Sequence, residues 1–121
     1  MAKHIEIGRK GEKLAAEYLI QKGYSLLETN WRHRKGEIDL IMKFENNLVF
    51  VEVKTRSRDK WNKPEEAIDR KKRKLLIETA DAYLQTNSLN LNSRFDIISI
   101  ILKNTAYEIE HFENAIIPDL D

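Results

Sequence analysis

The sequence predicts a single α/β domain in which a mixed β-sheet is flanked by helices. A β-hairpin pattern lies near the middle, amphipathic helix patterns precede and follow it, and an apolar strand pattern comes after the second helix. A hairpin followed by a crossover helix and another strand gives a sheet with both parallel and antiparallel neighbours. The chain has 121 residues, of which 41% are hydrophobic and 34% are charged, as expected for one ordinary globular domain.

The first helix is predicted over residues 9–22, with Gly23 ending it. Its apolar stripe consists of Gly11, Leu14, Ala15, Tyr18 and Leu19. A glycine within such a stripe predicts that the helix approaches the sheet closely. Glu12 lies at the edge of the stripe and Glu17 points away from it, so Glu12 is better placed to reach the hairpin. The helix dipole alone would also favour an acid at Glu12.

Residues 24–30 predict the first strand, and residues 31–35 predict a loop that leads into the hairpin. This loop carries the basic residues Arg32, Arg34 and Lys35, which are candidates for phosphate contact. Trp31 could stack on a base or belong partly to the core, and the core is the favoured interpretation.

The hairpin combines strands over Ile38–Met42 and Leu48–Lys54 with turn residues between them. A two-residue turn at 45–46 places Asp39 opposite Glu52, and a turn at 46–47 places it opposite Lys54. Both registers put Asp39 on the face of Glu52 and Lys54, whereas a three-residue loop would send it to the other face.

Two carboxylates on a half-buried face need a cation between them, because desolvating them without a partner costs several kcal/mol. Lys54 is one candidate and a hard divalent ion is the other. The alternative is a solvated ladder of salt bridges on an exposed hairpin. The run LVFVEV is apolar on both faces, which favours a buried site.

Beyond the hairpin, residues 55–63 predict a basic loop that includes Arg56 and Arg58. A helix start is indicated at Pro64 or Asp69, and the helix ends near residue 84. On this helix Lys71 and Lys74 point outward, whereas Lys72 falls inside the apolar stripe. Lys72 therefore needs an acidic partner or a route to water for its ammonium group.

Residues 94–102 predict a buried strand and residues 106–112 an edge strand. Asp96 within the buried strand is either a further site acid or, the favoured interpretation, a partner of Arg94 or of a loop amide. Charge is distributed unevenly, with ten Lys or Arg against four Asp or Glu over residues 54–74 and one Lys against six acids over residues 95–121. A basic cluster of this kind is typical of a polyanion partner, although one taken alone is more often a solvated face.

Asp39, the hairpin and the sequence Glu52-Val53-Lys54 together resemble the signature of the PD-(D/E)XK nuclease superfamily. GEIDLI and FVEVKTR are most similar to its small bacterial YraN-type members, which are similar to archaeal Holliday-junction resolvases. Ile38 stands where the superfamily name has proline. The resemblance implies a restriction-endonuclease-like core with the order α-β-β-β-α-β-β over residues 1–121.

The resemblance also implies a Mg²⁺- or Mn²⁺-dependent endonuclease. Asp39, Glu52, the Val53 carbonyl and Glu12 would hold the ion, and Lys54 would orient the attacking water. Lys72, which YraN-type relatives share, and Glu37 would support these groups from outside the ligand set. The substrate would be DNA, gripped by Arg32, Arg34, Lys35, Arg56, Arg58, Lys71 and Lys74 and recognised by shape, such as a junction or flap. Resolvase-like relatives imply a homodimer.

Two other functions remain open on the sequence. One is a nucleic-acid-binding module that keeps the nuclease fold without turnover, and the weaker one is a hydrolase of small phosphoesters. The chain has no cysteine, which excludes disulfides and thiolate metal sites. Its start lacks the apolar segment of a signal peptide, and no apolar run is long enough to span a membrane, so we expect a cytoplasmic protein without a membrane partner.

Overall fold

The computed structural model describes residues 2–57 and 70–116, with side chains from residue 6 onward. The elements are α1 (Ala2–Gln21), β1 (Ser25–His33), β2 (Gly36–Phe44), β3 (Asn47–Ser57), α2 (Arg70–Thr86), β4 (Asn92–Lys103) and β5 (Ala106–Phe112). This order, α-β-β-β-α-β-β, is the one predicted from the sequence. Neither helix in these ranges is long and apolar enough to cross a membrane.

The five strands form one mixed sheet in the order β1-β2-β3-β4-β5. Only β3 and β4 pair in parallel, and α2 makes the crossover between them; the other neighbours are antiparallel. The predicted mixed α/β architecture is therefore confirmed. The hairpin strands lie inside the sheet, covered on both faces, which explains the continuous apolar run of β3.

Each face of the sheet packs against one helix and has its own core. Side chains on the α2 face include Ile41, Phe50, Ile97, Leu76 and Tyr83. The α1 face buries Leu40, Val51, Ile98, Ala15 and Leu19. Successive side chains of β3 thus alternate between two buried layers from Leu48 to Glu52, so the Glu52 carboxylate is enclosed, whereas the strand is only half-buried from Val53 onward.

The β2–β3 turn decides between the two registers that the sequence left open. Phe44 pairs with Asn47, so the turn consists of Glu45 and Asn46. Glu45 has a φ of 55°, in the left-handed region that such a tight turn uses. Because the register continues to Leu40 opposite Val51, the next position along brings Asp39 beside Glu52.

The predicted loop over residues 31–35 is wrong for its first three residues. Trp31, Arg32 and His33 continue β1 and pair with Ile38, Glu37 and Gly36, which leaves only a short turn at residues 34–35. Tertiary contact explains the extension, because the partly buried Trp31 ring packs edge-on against Tyr83 at 5.0 Å between centroids.

Other boundaries also extend beyond their predicted limits. Helix α1 begins at Ala2 rather than at residue 9, and β3 continues to Ser57 rather than ending at Lys54. Pairing with β4 accounts for the longer β3, since its register runs unbroken to Ser57 opposite Leu102. The predicted helix starts at Pro64 and Asp69, and the basic residue Arg58, lie outside the described residues.

The predicted close approach of α1 to the sheet is confirmed at Gly11. A Cβ atom there would lie 1.8 Å from Thr55 Oγ1, so only glycine allows this contact. A matching contact seats α2 at the start of β2, where a Cβ on Gly36 would lie 1.7 Å from Thr79 Oγ1. The two glycines thus set how closely each helix covers the strands that carry the candidate site.

Candidate active site

Asp39 and Glu52 lie side by side where the β2–β3 hairpin meets α2. They line a pocket of about 220 Å³ whose walls also include Lys35, Glu37, Lys72, Leu75 and Leu76. Asp39, Glu52 and Lys54 share one face of the hairpin, as the period-two pattern predicts. The pocket is therefore made of acidic strand residues below and an amphipathic helix above.

Backbone geometry fixes the orientation of Asp39. Its Oδ2 accepts a hydrogen bond of 2.8 Å from the backbone N–H of Val53 on the neighbouring strand. The N–H and C=O of one strand residue face the same neighbouring strand, so the Val53 carbonyl faces β2 as well. The Val53 carbonyl is thus directed towards the strand that carries Asp39.

Two lysines approach the Glu52 carboxylate from different elements. Lys54 Nζ lies 3.9 Å from Glu52 Oε2, and Lys72 Nζ lies 2.9 Å from the same oxygen. Lys54 comes from the same face of β3, two residues further on, whereas Lys72 reaches down from α2. The inward direction predicted for Lys72 is confirmed, and its partner is Glu52.

The pKa values of the two carboxyl groups move apart. Burial, a hydrogen bond with Glu52 and the negative charge of Glu52 raise the pKa of Asp39 to about 9. Burial opposes ionisation of Glu52 too, but the hydrogen bond from Asp39 and the ammonium groups of Lys72 and Lys54 lower its pKa. Without a metal ion the raised pKa of Asp39 and the lowered pKa of Glu52 mean that the pair holds one proton between its two carboxyl groups at neutral pH.

The Lys54 ammonium is also perturbed. Burial and the neighbouring Lys72 lower the pKa of Lys54 to about 8, although the charge of Glu52 opposes this shift. Its side chain is only 13% exposed. A largely buried cationic group with a lowered pKa beside paired acids is typical of catalytic sites.

Glu12 is not brought into the pocket that holds Asp39 and Glu52. It lines a separate pocket between α1 and β1, together with Asn30 and Leu40 among others. Burial raises the pKa of Glu12, a hydrogen bond with Asn30 opposes this, and the charges of Glu37 and Glu52 add to the rise. The negative charge of Glu52 thus raises the pKa of Glu12, although Glu12 lies outside the pocket of Asp39 and Glu52.

The donors present suit a hard divalent ion held mainly by two carboxylates. Among the described residues no three His, Cys, Asp or Glu side chains converge on one point. Mg²⁺ typically binds through one or two carboxylates and keeps several waters, so Asp39, Glu52 and the Val53 carbonyl form a sufficient set. An ion there would replace the shared proton as the cation between the carboxylates.

The predicted nucleic-acid contacts differ in their surroundings. Lys35 lines the pocket itself, which the sequence did not indicate. Arg32 is exposed, and its Nε lies 2.9 Å from Glu37 Oε2. This salt bridge joins a predicted DNA contact, Arg32, to a predicted supporting residue of the metal site, Glu37. Arg56 donates to the Thr55 carbonyl. The remaining described members of the set, Arg34, Lys71 and Lys74, are exposed.

Comparison with known proteins places these residues in a family. The model of the uncharacterised protein family UPF0102 matches residues 11–100, a range that holds the hairpin and α2. The chain belongs to the UPF0102 family. The UPF0102 protein of Phocaeicola vulgatus is 43% identical over 120 residues, which are 99% of each chain. That of Flavobacterium psychrophilum is 46% identical over 115 residues, 95% of this chain and 97% of the relative.

The UPF0102 chain has a second buried polar cluster, on the opposite face of the sheet. Asp96 is fully buried, accepts two hydrogen bonds from Arg94 and one of 2.9 Å from the Asn114 N–H, and lies 2.6 Å from His111 Nε2. Both favoured partners of Asp96, Arg94 and a loop amide, are confirmed. His111 was missed, because its contact with Asp96 depends on the pairing of β4 with β5 and not on spacing.

Proposed function

We propose that this UPF0102 protein is a Mg²⁺- or Mn²⁺-dependent endonuclease of the PD-(D/E)XK superfamily that hydrolyses phosphodiester bonds in DNA. The observation that supports this best is the juxtaposition of Asp39 and Glu52 at one pocket, with Lys54 on the same face of the hairpin and 3.9 Å from Glu52. Paired acids beside a cation are the groups that metal-assisted phosphoryl transfer requires.

Asp39, Glu52 and the Val53 carbonyl would hold the ion. When bound, a divalent ion acidifies water and offsets the charge of the phosphate. Asp39 must lose its proton to act as a metal ligand, because its pKa is raised in the metal-free protein. The hydrogen bond from the Val53 N–H would hold the Asp39 carboxyl group in place when it becomes charged. The low pKa of Glu52 keeps that carboxylate ionised and ready at neutral pH.

Lys54 would act on the substrate rather than on the ion. Its ammonium lies on the same face as the carboxylates and is largely enclosed. There it can hydrogen-bond a water or a non-bridging phosphate oxygen and stabilise the negative charge that develops during attack. With a pKa of about 8, it carries its proton at neutral pH and below.

The substrate would be polymeric. Lys71 and Lys74 are exposed on α2, the helix that covers the pocket, and Lys35 lines the pocket wall. Such contacts to phosphates give affinity without reading bases, so recognition would rest on DNA shape, for example a junction or flap. The proposal includes a cytoplasmic location and a homodimer, both from the resemblance to resolvases.

The decisive experiment incubates the purified protein with branched, flapped, single-stranded and duplex DNA in Mg²⁺ or Mn²⁺. Cleavage should require the ion and should be lost in Glu52→Gln. Glu17→Gln, which removes an exposed carboxylate from α1, is the matched control and should cleave normally. Metal-dependent cleavage that persists at full rate in Glu52→Gln would come from a contaminant or another site and would refute the proposal.

A non-catalytic DNA-binding module is the second candidate, and one observation favours it. Lys72 and the shared proton already neutralise the acidic pair without any metal ion. This candidate predicts DNA binding without cleavage of any substrate in the panel. It also predicts that Mg²⁺ leaves the melting temperature unchanged.

A further inference from the structure

The closest cation to Glu52 is not the lysine of the Glu-Val-Lys sequence. Lys72 Nζ lies 2.9 Å from Glu52 Oε2, within hydrogen-bond distance, whereas Lys54 Nζ is 3.9 Å away. Lys72 is also among the residues that line the pocket beside Asp39 and Glu52. Its ammonium therefore contacts the carboxylate that a divalent ion would need.

Lys54 and Lys72 differ in how easily their ammonium groups can move away from the Glu52 carboxylate. Lys54 belongs to a strand in the middle of the sheet, and its side chain is 13% exposed. Lys72 belongs to the first turn of α2, and its side chain is 44% exposed. A lysine has a flexible stem and a strongly hydrated ammonium, so an exposed one can rotate into water at little cost. Lys72 is thus the exchangeable cation of the pair.

We propose that Lys72 is a built-in counter-ion that occupies the Glu52 carboxylate in the metal-free protein and is displaced when a divalent cation binds. This inference rests on the proposed metal site and adds a regulatory residue to it. Lys72 stabilises the acidic pair before the ion arrives and lowers the affinity for the ion by competing with it. It acts through Glu52, as a positioning residue, and not on the reacting phosphate.

Competition by Lys72 has a signature that a purely structural salt bridge lacks. Removing the ammonium should destabilise the metal-free protein, because Glu52 and Asp39 lose a neutralising partner. The same removal should tighten metal binding, because the ion no longer displaces a charge-assisted hydrogen bond. The loss of one such bond corresponds to roughly a tenfold change in affinity. Stability and metal affinity therefore change in opposite directions.

The test compares wild type, Lys72→Met and Lys72→Arg by calorimetric titration with Mn²⁺, without nucleic acid. Melting temperatures are measured in parallel with chelator and with saturating Mn²⁺. Lys72→Met should melt lower in chelator, bind Mn²⁺ about ten times more tightly and gain a larger rise in melting temperature. Lys72→Arg keeps the charge and should remain near wild type. Lys10→Met, which removes an exposed lysine from α1, controls for the lost charge and should leave Mn²⁺ affinity unchanged.

The outcomes separate this inference from the proposed function. If wild type and Lys72→Met bind Mn²⁺ equally tightly, the exchange is refuted while the metal site stands. Weaker binding in Lys72→Met would refute it as well and would show that Lys72 supports the bound ion. If none of the proteins binds Mn²⁺, the metal site and the exchange both fail. Only tighter binding in Lys72→Met, with Lys10→Met unchanged, supports the inference.

Discussion

At the scale of single residues, the candidate site consists of groups whose charges depend on one another. Burial and the neighbouring Glu52 raise the pKa of Asp39, whereas the hydrogen bond with Asp39 and the ammonium groups of Lys72 and Lys54 lower the pKa of Glu52 despite its burial. Changing one group therefore changes the protonation of its neighbours. Metal binding, turnover and stability can be separated only by comparing variants that remove different members.

Glu52→Gln and Lys54→Met should fail in different ways. Losing Glu52 removes a ligand, so Mn²⁺ binding and cleavage both fall, while metal-free DNA binding persists or improves because a repelling charge is lost. Losing Lys54 removes a cation that is not a ligand, so Mn²⁺ binding persists while turnover falls roughly 100-fold to 1000-fold, as for one electrostatic donor. Calorimetric titration measures Mn²⁺ binding by each variant, and a cleavage assay measures turnover.

Equal destabilisation of both variants, with no cleavage by wild type, would favour the DNA-binding module.

The shared proton predicts how stability depends on pH in the metal-free protein. The folded protein keeps the Asp39 proton up to its pKa of about 9, whereas an unfolded aspartate loses it near pH 4. Between these values the folded state binds more protons, so the free energy of unfolding falls as pH rises, by roughly 1.4 kcal/mol per pH unit for a full proton. Asp39→Asn removes this titration and should flatten the curve from pH 5 to 8.

Urea unfolding in chelator at intervals of one pH unit measures this effect. The window ends at pH 8 because Lys54, with its pKa lowered to about 8, contributes an opposite slope above that value and offsets the effect of Asp39. Asp81→Asn, which changes an exposed aspartate of α2, should keep the wild-type slope. A wild-type curve as flat as that of Asp39→Asn would mean that Asp39 is ionised in the folded protein.

At the scale of elements, the helices are positioned by glycines rather than by apolar side chains alone. Gly11 of α1 is buried and faces Thr55 of β3, one residue beyond Lys54. Gly36 at the start of β2 faces Thr79 of α2 in the same way. The depth of each pocket therefore depends on how closely a helix approaches the hairpin.

Gly11→Ala and Gly8→Ala should change stability in opposite directions although both lie in α1. Alanine favours a helix over glycine by about 1 kcal/mol, and at Gly8 no atom lies within 4 Å of the new Cβ. At Gly11 the new Cβ would overlap Thr55, and overpacking of this kind typically costs 1–3 kcal/mol. Chemical denaturation should show Gly8→Ala more stable and Gly11→Ala less stable than wild type.

Adding Thr55→Ala to Gly11→Ala should restore part of the lost stability, because it removes the side-chain atoms that the new Cβ overlaps. A Gly11→Ala variant that is more stable than wild type would disprove the close contact between Gly11 and Thr55.

At the scale of the whole molecule, charge is segregated along the chain and across the fold. The segment 54–74 carries ten Lys or Arg against four acids, whereas 95–121 carries six acids against one Lys. The described part of the basic segment comprises the end of β3 and the start of α2, beside the pocket. A polyanion would thus be drawn to the face that holds the acidic pair and away from β5.

DNA affinity should fall steeply with salt, because binding would release counter-ions from phosphates. The double variant Lys71→Gln with Lys74→Gln removes two contacts and should reduce the slope of log K against log salt by about two. Lys43→Gln, at the other end of β2, should keep the wild-type slope. Fluorescence anisotropy with a labelled junction, in chelator to prevent cleavage, measures all three. An affinity that does not change between low and physiological salt would show that the basic face is only solvated surface.

The sequence by itself determined the element order and the mixed sheet, and for a two-residue turn it predicted the shared face of Asp39, Glu52 and Lys54. These follow from local rules, because strand periodicity and turn residues act over a few positions along the chain. It also predicted the close approach at Gly11, since a glycine in an apolar stripe has few other uses.

Tertiary structure alone decided the contacts between elements that are distant in the sequence. Residues around Trp31 were predicted to form a loop, but they pair with β2 and extend β1. The two-residue turn that begins at Glu45 sets the register in which Glu52, rather than Lys54, lies beside Asp39. The packing of α2 put Lys72, rather than Lys54, nearest to Glu52, while the position of α1 left Glu12 in another pocket. Such contacts depend on how whole elements pack in three dimensions, and sequence spacing carries no record of those distances.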